Sequence, residues 1–261
     1  MAIKKGAPRT QVLGVGRDAS RLRLARDMGA VDDFAIDGVD ALRQCDLVVL
    51  ATPVEHIIST LETLGDRLSP GTVVTDAGST KRQICHSAWD RLPASMEFIG
   101  GHPVAGRELT GVENSLSDLF KNAAYVICPR PGVGSENLAR LESLIGLMGA
   151  RSVIMTAEDH DKAIARVSHL PQLLSTALAD ASSSWEIKVS GSGLRDMLRL
   201  AGSSYSVWGG ILESNADNID LALEEFILRL QQMREALRDG RLADTFDRAR
   251  ECCRKLQSPG L

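Results

Sequence analysis

The chain has few aromatic residues and no long apolar run. Of its 261 residues, 44% are hydrophobic and only 4% are aromatic, and no apolar stretch approaches the roughly 20 residues that a membrane-spanning helix needs. The lysines near Met1 are not followed by the apolar core of a secretory signal peptide. We therefore expect a cytoplasmic protein without a membrane partner.

Basic residues and paired cysteines are also scarce. The 30 Lys and Arg residues are outnumbered by 34 Asp and Glu residues, which gives a net charge of -4 and argues against a nucleic-acid surface. The five cysteines are an odd number and lack the spacing of a metal site. They predict reduced thiols, with no metal and no disulfide framework.

Short apolar runs alternate with helical patterns from residue 11 to residue 155, which predicts a doubly wound α/β domain with a parallel sheet. The run Leu47-Val-Val-Leu-Ala51 is typical of a strand buried on both faces. The other predicted strands are residues 11–15, 72–75, 97–100, 125–128 and 152–155.

Strand patterns end at about residue 156, and helical spacing continues over residues 157–181, 205–238 and 242–256. The sequence therefore predicts a Rossmann-like dinucleotide-binding domain at residues 1–156 and an all-helical domain at residues 157–261. The two long helical patterns carry more apolar positions than one small core needs, so we expect the second domain to form a homodimer.

The chain has no Gly-x-Gly-x-x-Gly turn, the motif whose amides hold the pyrophosphate of a dinucleotide. Gly14-Val-Gly16 lacks the third glycine, and its segment resembles the second strand of such a fold. Residues 1–6 are then the end of the first helix, and we expect the first strand and its turn to lie upstream of Met1. Gly16 and Arg17 leave space and a cation for a 2′-phosphate, which favours NADP over NAD.

Three predicted strands end in small or polar residues, where an open parallel sheet binds its ligands. These exits contain Thr52 and Pro53, then Asp76 and Ser79, then His102. Thr52, Pro53, Asp76 and Ser79 are candidate cofactor contacts, although each exit can equally be an ordinary tight turn. His102 lies between two glycines and a proline, as a positioned general base requires, whereas a histidine taken alone is more often structural.

Six motifs follow one another in a specific order, and with them the chain resembles the prephenate and arogenate dehydrogenases of tyrosine biosynthesis. The motifs are Ala51-Thr-Pro-Val54, Thr75-Asp-Ala-Gly-Ser-Thr-Lys81, Gly100-Gly-His-Pro-Val-Ala-Gly106, Glu158-Asp-His-Asp161, Val167-Ser-His-Leu-Pro-Gln172 and Gly193-Leu-Arg-Asp-Met-Leu-Arg-Leu-Ala201.

The resemblance implies NAD(P)-dependent oxidative decarboxylation of a cyclohexadienol, either prephenate or arogenate. It makes His102 the catalytic base and Ser79 a catalytic serine that hydrogen-bonds the substrate hydroxyl and the histidine. An imidazole can take up the hydroxyl proton near neutral pH.

The resemblance also implies a set of substrate-binding residues. His169 and Arg199 match substrate contacts, and a guanidinium suits a substrate with two carboxylates. Arg195, one helical turn earlier, is the alternative to Arg199. Gly193 is a further implied substrate position. Glu108, Asp161 and Trp208 match positions linked to gating and side-chain recognition, of which Trp208 can equally be a core aromatic. Arg107 stands where many relatives have a small hydroxyl residue. Its side chain either contacts a substrate carboxylate or points to solvent.

Three hypotheses follow. The first is an active NAD(P)-dependent prephenate or arogenate dehydrogenase whose start codon is mis-assigned. The second is a truncated, catalytically inactive homologue that binds a ligand or dimerises. The third is a related hydroxyacid dehydrogenase, which ranks last because the second half lacks a lysine at a Gly-rich helix start.

Overall fold

A computed structural model describes residues 1–106, 111–132 and 136–257. The chain divides into two compact units, Met1–Asn215 and Ala216–Leu261. The first unit is a Rossmann-like domain that continues into a helical region, and the second is helical, as the sequence predicts.

The strands of the described residues form two sheets. In chain order they are β1 (Leu13–Gly16), β2 (Asp33–Ile36), β3 (Leu47–Leu50), β4 (Val73–Asp76), β5 (Glu97–Pro103), β6 (Ala124–Cys128) and β7 (Arg151–Ile154). β1 and β2 pair in parallel, and the larger sheet has the order β3-β4-β5-β6-β7. Its pairs are parallel except β5 and β6, which run antiparallel.

Helices account for most of the remaining described residues. They are α1 (Ala2–Gly6), α2 (Ala19–Asp27), α3 (Val39–Leu42), α4 (Val54–Leu64), α5 (Arg82–Arg91), α6 (Glu136–Leu147), α7 (Ala157–Ile164), α8 (Leu170–Ala181), α9 (Ser184–Lys188), α10 (Ser192–Leu198), α11 (Tyr205–Ser214), α12 (Ala216–Arg238) and α13 (Ala243–Gln257). A π-helical segment, Ala165–His169, joins α7 to α8. None of the described helices is both long and apolar enough to cross a membrane.

The main core lies between the larger sheet and the helices on one of its faces. α4 begins after Pro53 and buries Val54, Ile57, Leu61 and Leu64, a spacing of three and four residues that places one apolar stripe on the sheet. The core also includes Ala157 from α7, and Ile211 from α11 packs against this core. The helical region up to residue 215 therefore packs against the sheet within the first unit, while the predicted boundary at residue 156 stays a prediction.

The structure corrects several details of the predicted elements. The sequence pattern missed β2, and β3 is an edge strand whose Val49 is 43% exposed, so it is not buried on both faces. Instead β4, which has a neighbour on each side, is buried at every position. The pattern over residues 205–238 is two helices rather than one, because the chain leaves helical geometry at Asn215.

The most important correction concerns His102, which the sequence placed in a loop. β5 continues to Pro103, and His102 pairs with Val126 of the antiparallel strand β6. Its backbone is therefore fixed by the sheet.

Gly101, the residue before His102, provides a test of how tightly this strand is packed. An added Cβ would lie 2.5 Å from the Asp76 carbonyl oxygen and 2.9 Å from Thr75 Oγ1. We expect Gly101→Ala to lower the free energy of unfolding by about 1–3 kcal/mol, measured by denaturant titration. Gly146→Ala is the control, because its Cβ meets nothing within 4 Å and alanine favours the helix. Equal stability of the two variants would contradict this packing.

Candidate active site

The carboxyl ends of β3 and β4 open into a cavity of about 190 Å³. Thr52, Pro53 and Ser79 line it from the sheet side, and Ser206 and Val207 line it from α11. A cavity of ~150 Å³ is enough to hold a benzene ring. The structure thus brings together three of the predicted cofactor contacts around a space that fits one ring.

Asp76 holds the loop that carries Ser79. Its carboxylate forms a fully buried ion pair with Lys81 and accepts hydrogen bonds from the Gly78 and Gly101 amides at 2.8 and 3.0 Å. A buried pair of this kind is costly to break because the remaining charge stays uncompensated. These contacts connect the loop to β5, while a direct contact of Asp76 with cofactor stays a prediction.

His102 lies at the end of a buried hydrogen-bond chain. Its Nδ1 is 2.8 Å from His160 Nε2, and His160 Nδ1 is 2.7 Å from Asp161 Oδ1. Asp161 also accepts hydrogen bonds from the Lys81 amide at 2.7 Å and the Arg82 amide at 2.9 Å, at the start of α5. The His102 side chain is thus tied to α7 and to the α5 N-terminus.

Burial is the largest cause that lowers the pKa of His102 well below its ordinary value. His102 is 8% exposed, so its charged form is poorly solvated. The ring is therefore neutral at pH 7, which is the protonation state that a general base needs.

His169 is the second buried histidine that the sequence singled out. Asn215 Nδ2 lies 3.3 Å from its Nδ1 and donates to the Asp161 carbonyl at 2.8 Å, and the indole of Trp208 packs edge-on at 5.9 Å. Burial lowers the pKa of His169 to about 4, so the neutral ring accepts at Nδ1 and carries its proton on Nε2. That buried Nε2 has no partner among the described residues. An N–H of this kind costs free energy unless it meets an acceptor.

Gly193 and Arg199 come from α10 and the turn that follows it. This turn is fixed to α8, since Gln172 Nε2 donates to the Leu200 carbonyl at 2.9 Å and Ser175 Oγ accepts from the Ala201 amide at 3.0 Å. The two motifs that contain His169 and Arg199 are therefore neighbours in the fold. Both Gly193 and Arg199 are exposed.

The remaining predicted positions have different outcomes. Arg17 is exposed at the end of β1. Arg107 and Glu108 lie outside the described residues. A hydrogen bond between Ser79 and His102 stays a prediction, as do the individual substrate and cofactor contacts.

The residues present fit the ring of a nicotinamide cofactor better than its phosphates. The Thr52, Pro53 and Ser79 cavity accepts a ring, but the N-cap of α2 is Asp18, which accepts hydrogen bonds from the Ser20 and Arg21 amides. Those amides are therefore occupied, and the described residues contain no glycine turn that would bind a pyrophosphate.

Four polar residues that build the site were not singled out by the sequence. His160 appeared only as part of a motif, and nothing suggested Asn215 or the hydrogen bond of 2.8 Å between Thr80 and Ser214. These residues lie far from their partners in the chain, so no local pattern reveals the contacts. The sequence offered one clue to these contacts, the Asp161 position that the family resemblance implies.

Comparisons with known proteins give a consistent result. Residues 1–154 match the family model described as prephenate dehydrogenase, nucleotide-binding domain, and residues 156–249 match prephenate dehydrogenase, dimerization domain. A prephenate dehydrogenase from Bacillus subtilis is 30% identical over 241 residues, which cover 90% of this chain and 65% of that protein.

Two solved structures share the fold over nearly the whole chain. Prephenate dehydrogenase from Aquifex aeolicus, in complex with hydroxyphenyl propionate and NAD⁺, is 26% identical with a TM-score of 0.87, covering 97% of this chain and 91% of that one. Arogenate dehydrogenase from Synechocystis is 28% identical with a TM-score of 0.81, covering 96% and 92%. With both family models matched along its length, this chain belongs to the prephenate dehydrogenase family.

Proposed function

We propose that this protein catalyses the NAD(P)-dependent oxidative decarboxylation of prephenate or arogenate. The observation that carries the proposal is the neutral, buried His102, fixed at the carboxyl end of β5 by His160. The parallel strands β3 and β4 end at the same edge of the sheet, where Thr52, Pro53 and Ser79 surround the ring-sized cavity. A general base and a ring site at one sheet edge suit a proton-coupled hydride transfer.

The chemistry balances with one base. A bound nicotinamide supplies the hydride acceptor for the substrate carbon that bears the hydroxyl. His102 takes the hydroxyl proton on its ring nitrogen as the hydride departs, which leaves a cyclohexadienone. The carboxylate on the opposite ring carbon leaves as carbon dioxide, its bonding electrons pass through the ring to the carbonyl oxygen, and the resulting phenolate takes up a proton to give the phenol. We assign Ser79 to hydrogen-bond the same hydroxyl.

Two groups in the helical region suit a substrate with carboxylates. The buried Nε2–H of His169 needs an acceptor, and a carboxylate or ring oxygen of the substrate would supply one. Arg199 follows α10 on the turn fixed by α8, and its guanidinium can hold a carboxylate in a bidentate pair.

We also propose a homodimer in the cytoplasm. α12 carries exposed apolar side chains on one face, Ile227, Leu230 and Leu237, and an apolar helix face of this kind is typical of a protein interface. The matched family model of this region is described as a dimerization domain. All five cysteines are free thiols, which is typical of a reducing compartment.

Replacing the base tests the function directly. We expect His102→Asn to lower kcat by about 10² to 10⁴, the usual contribution of a general base. The assay measures reduced nicotinamide formed by the purified chain with prephenate and, separately, arogenate. His56→Asn on the exposed face of α4 is the control and should behave as the parent. A loss below about tenfold would refute the role of His102, whereas a parent that binds cofactor without any turnover would favour the inactive homologue.

Arg17 tests a preference for NADP. We expect Arg17→Ala to weaken NADP binding by about tenfold or more, because a charge-assisted hydrogen bond contributes about 1.5–3 kcal/mol, and to leave NAD binding unchanged. Calorimetric titration with both cofactors measures the two affinities. Arg23→Ala, which removes an exposed cation from α2, is the control. Equal losses for NAD and NADP, or no loss, would contradict a phosphate contact at Arg17.

A further inference from the structure

The carboxylate of Asp161 lies at the buried end of the chain that leads to His102. It is fully buried and binds two backbone amides, Lys81 N–H and Arg82 N–H, at the N-terminus of α5. Backbone amides can only donate, and the helix dipole favours a negative charge at this end. Asp161 is therefore an ionised acceptor, and a ring nitrogen of His160 facing it must carry a proton.

This requirement places a proton on one ring nitrogen of His160. Its Nδ1 faces Asp161 Oδ1 at 2.7 Å, so Nδ1 carries the proton. In a neutral ring Nε2 then has the lone pair and accepts a hydrogen bond. His160 is 1% exposed, and its Nε2 faces His102 Nδ1 at 2.8 Å.

The tautomer of His160 determines that of His102. When the His160 ring is neutral, its Nε2 accepts, His102 Nδ1 donates, and the lone pair of His102 is on Nε2. We propose that His160, held by Asp161, is a positioning residue that keeps His102 in the Nδ1–H tautomer and so makes Nε2 the base. This inference rests on the proposed function, and it assigns to His160 a role in the reaction without contact to substrate.

The charged groups around the two rings are consistent with this role. Lys81 is paired with Asp76, and His169 is neutral at pH 7 since its pKa is about 4. Asp161 therefore supplies the negative charge at the end of the chain. When His102 Nε2 takes the substrate proton, the hydrogen bond from Nδ1–H to His160 becomes charge-assisted and stronger. His160 thereby stabilises the imidazolium that forms during the reaction.

A purely structural His160 would fill the same space, and a matched pair of variants separates the two roles. The amide of glutamine reaches the position of Nε2 and can accept from His102, whereas the shorter asparagine reaches only the position of Nδ1 and Asp161. We expect His160→Asn to lower kcat by about 10- to 100-fold, the usual cost of losing a partner that orients a reacting group. We expect His160→Gln to stay within about tenfold of the parent.

The pH profile adds a readout that lost stability would not move. In His160→Asn the imidazolium of His102 loses its acceptor, so the pKa of His102 falls and the acid limb of kcat/KM moves to lower pH. In His160→Gln the limb stays in place. His86→Gln, which changes an exposed histidine paired with Glu158, is the control and should match the parent in rate and profile.

Two outcomes would overturn the inference. The first is an equal loss in both variants with an unmoved acid limb, and the second is parent-like turnover in His160→Asn. If His160→Asn does not fold, His160→Gln decides alone. A loss of kcat above about tenfold, or a moved acid limb, would then contradict the inference. If the parent turns over neither prephenate nor arogenate, the proposed function fails by itself. The tautomer of His102, read from its ring-nitrogen NMR shifts in the parent and in His160→Gln, then still tests the inference.

Discussion

The site depends on one buried carboxylate, Asp161, bound to the first amides of α5. That contact connects the start of the helical region to the loop between β4 and α5, and so brings α7 against the sheet. The same carboxylate orients His160, which in turn binds His102. A single anion at a helix N-terminus therefore joins the packing of the fold to the protonation state of the candidate base.

The buried histidines illustrate why a catalytic site is costly to build. Burial of His102 and His169 disfavours their charged forms, so both rings are neutral under conditions where an exposed histidine would be partly charged. For His102 neutrality provides a proton acceptor. For His169 it leaves a buried Nε2–H for a ligand oxygen. In the proposed function the same physical effect gives two histidines opposite roles, one accepting a proton and the other donating a hydrogen bond.

The sequence predicted the fold class and the candidate residues better than it predicted their contacts. Alternating apolar runs gave the sheet and its helices, and the strand exits gave Thr52, Pro53 and Ser79, which share one cavity. The pattern missed β2 because its residues Asp33–Ile36 form only a short, partly exposed strand. It also ended β5 too early, at Gly100, since Gly101, His102 and Pro103 read as a loop although β6 pairs with them.

The contact between His102 and His160 could not come from local patterns, because 58 residues separate the two. Such contacts form only when α7 packs against the sheet, so the family resemblance pointed to Asp161 without its partners. The position of Asn215 is a similar case. Its side chain joins His169 to the Asp161 backbone from the end of α11, a place that periodicity assigned to the middle of one long helix.

The measurement that tests this account most directly is the ring-nitrogen NMR spectrum of His102 in the parent protein at pH 7. The account predicts a neutral ring with a protonated Nδ1 and an unprotonated Nε2, because His160 accepts from the one and leaves the other for the substrate. A ring protonated on Nε2, or a charged ring with both nitrogens protonated, would contradict it.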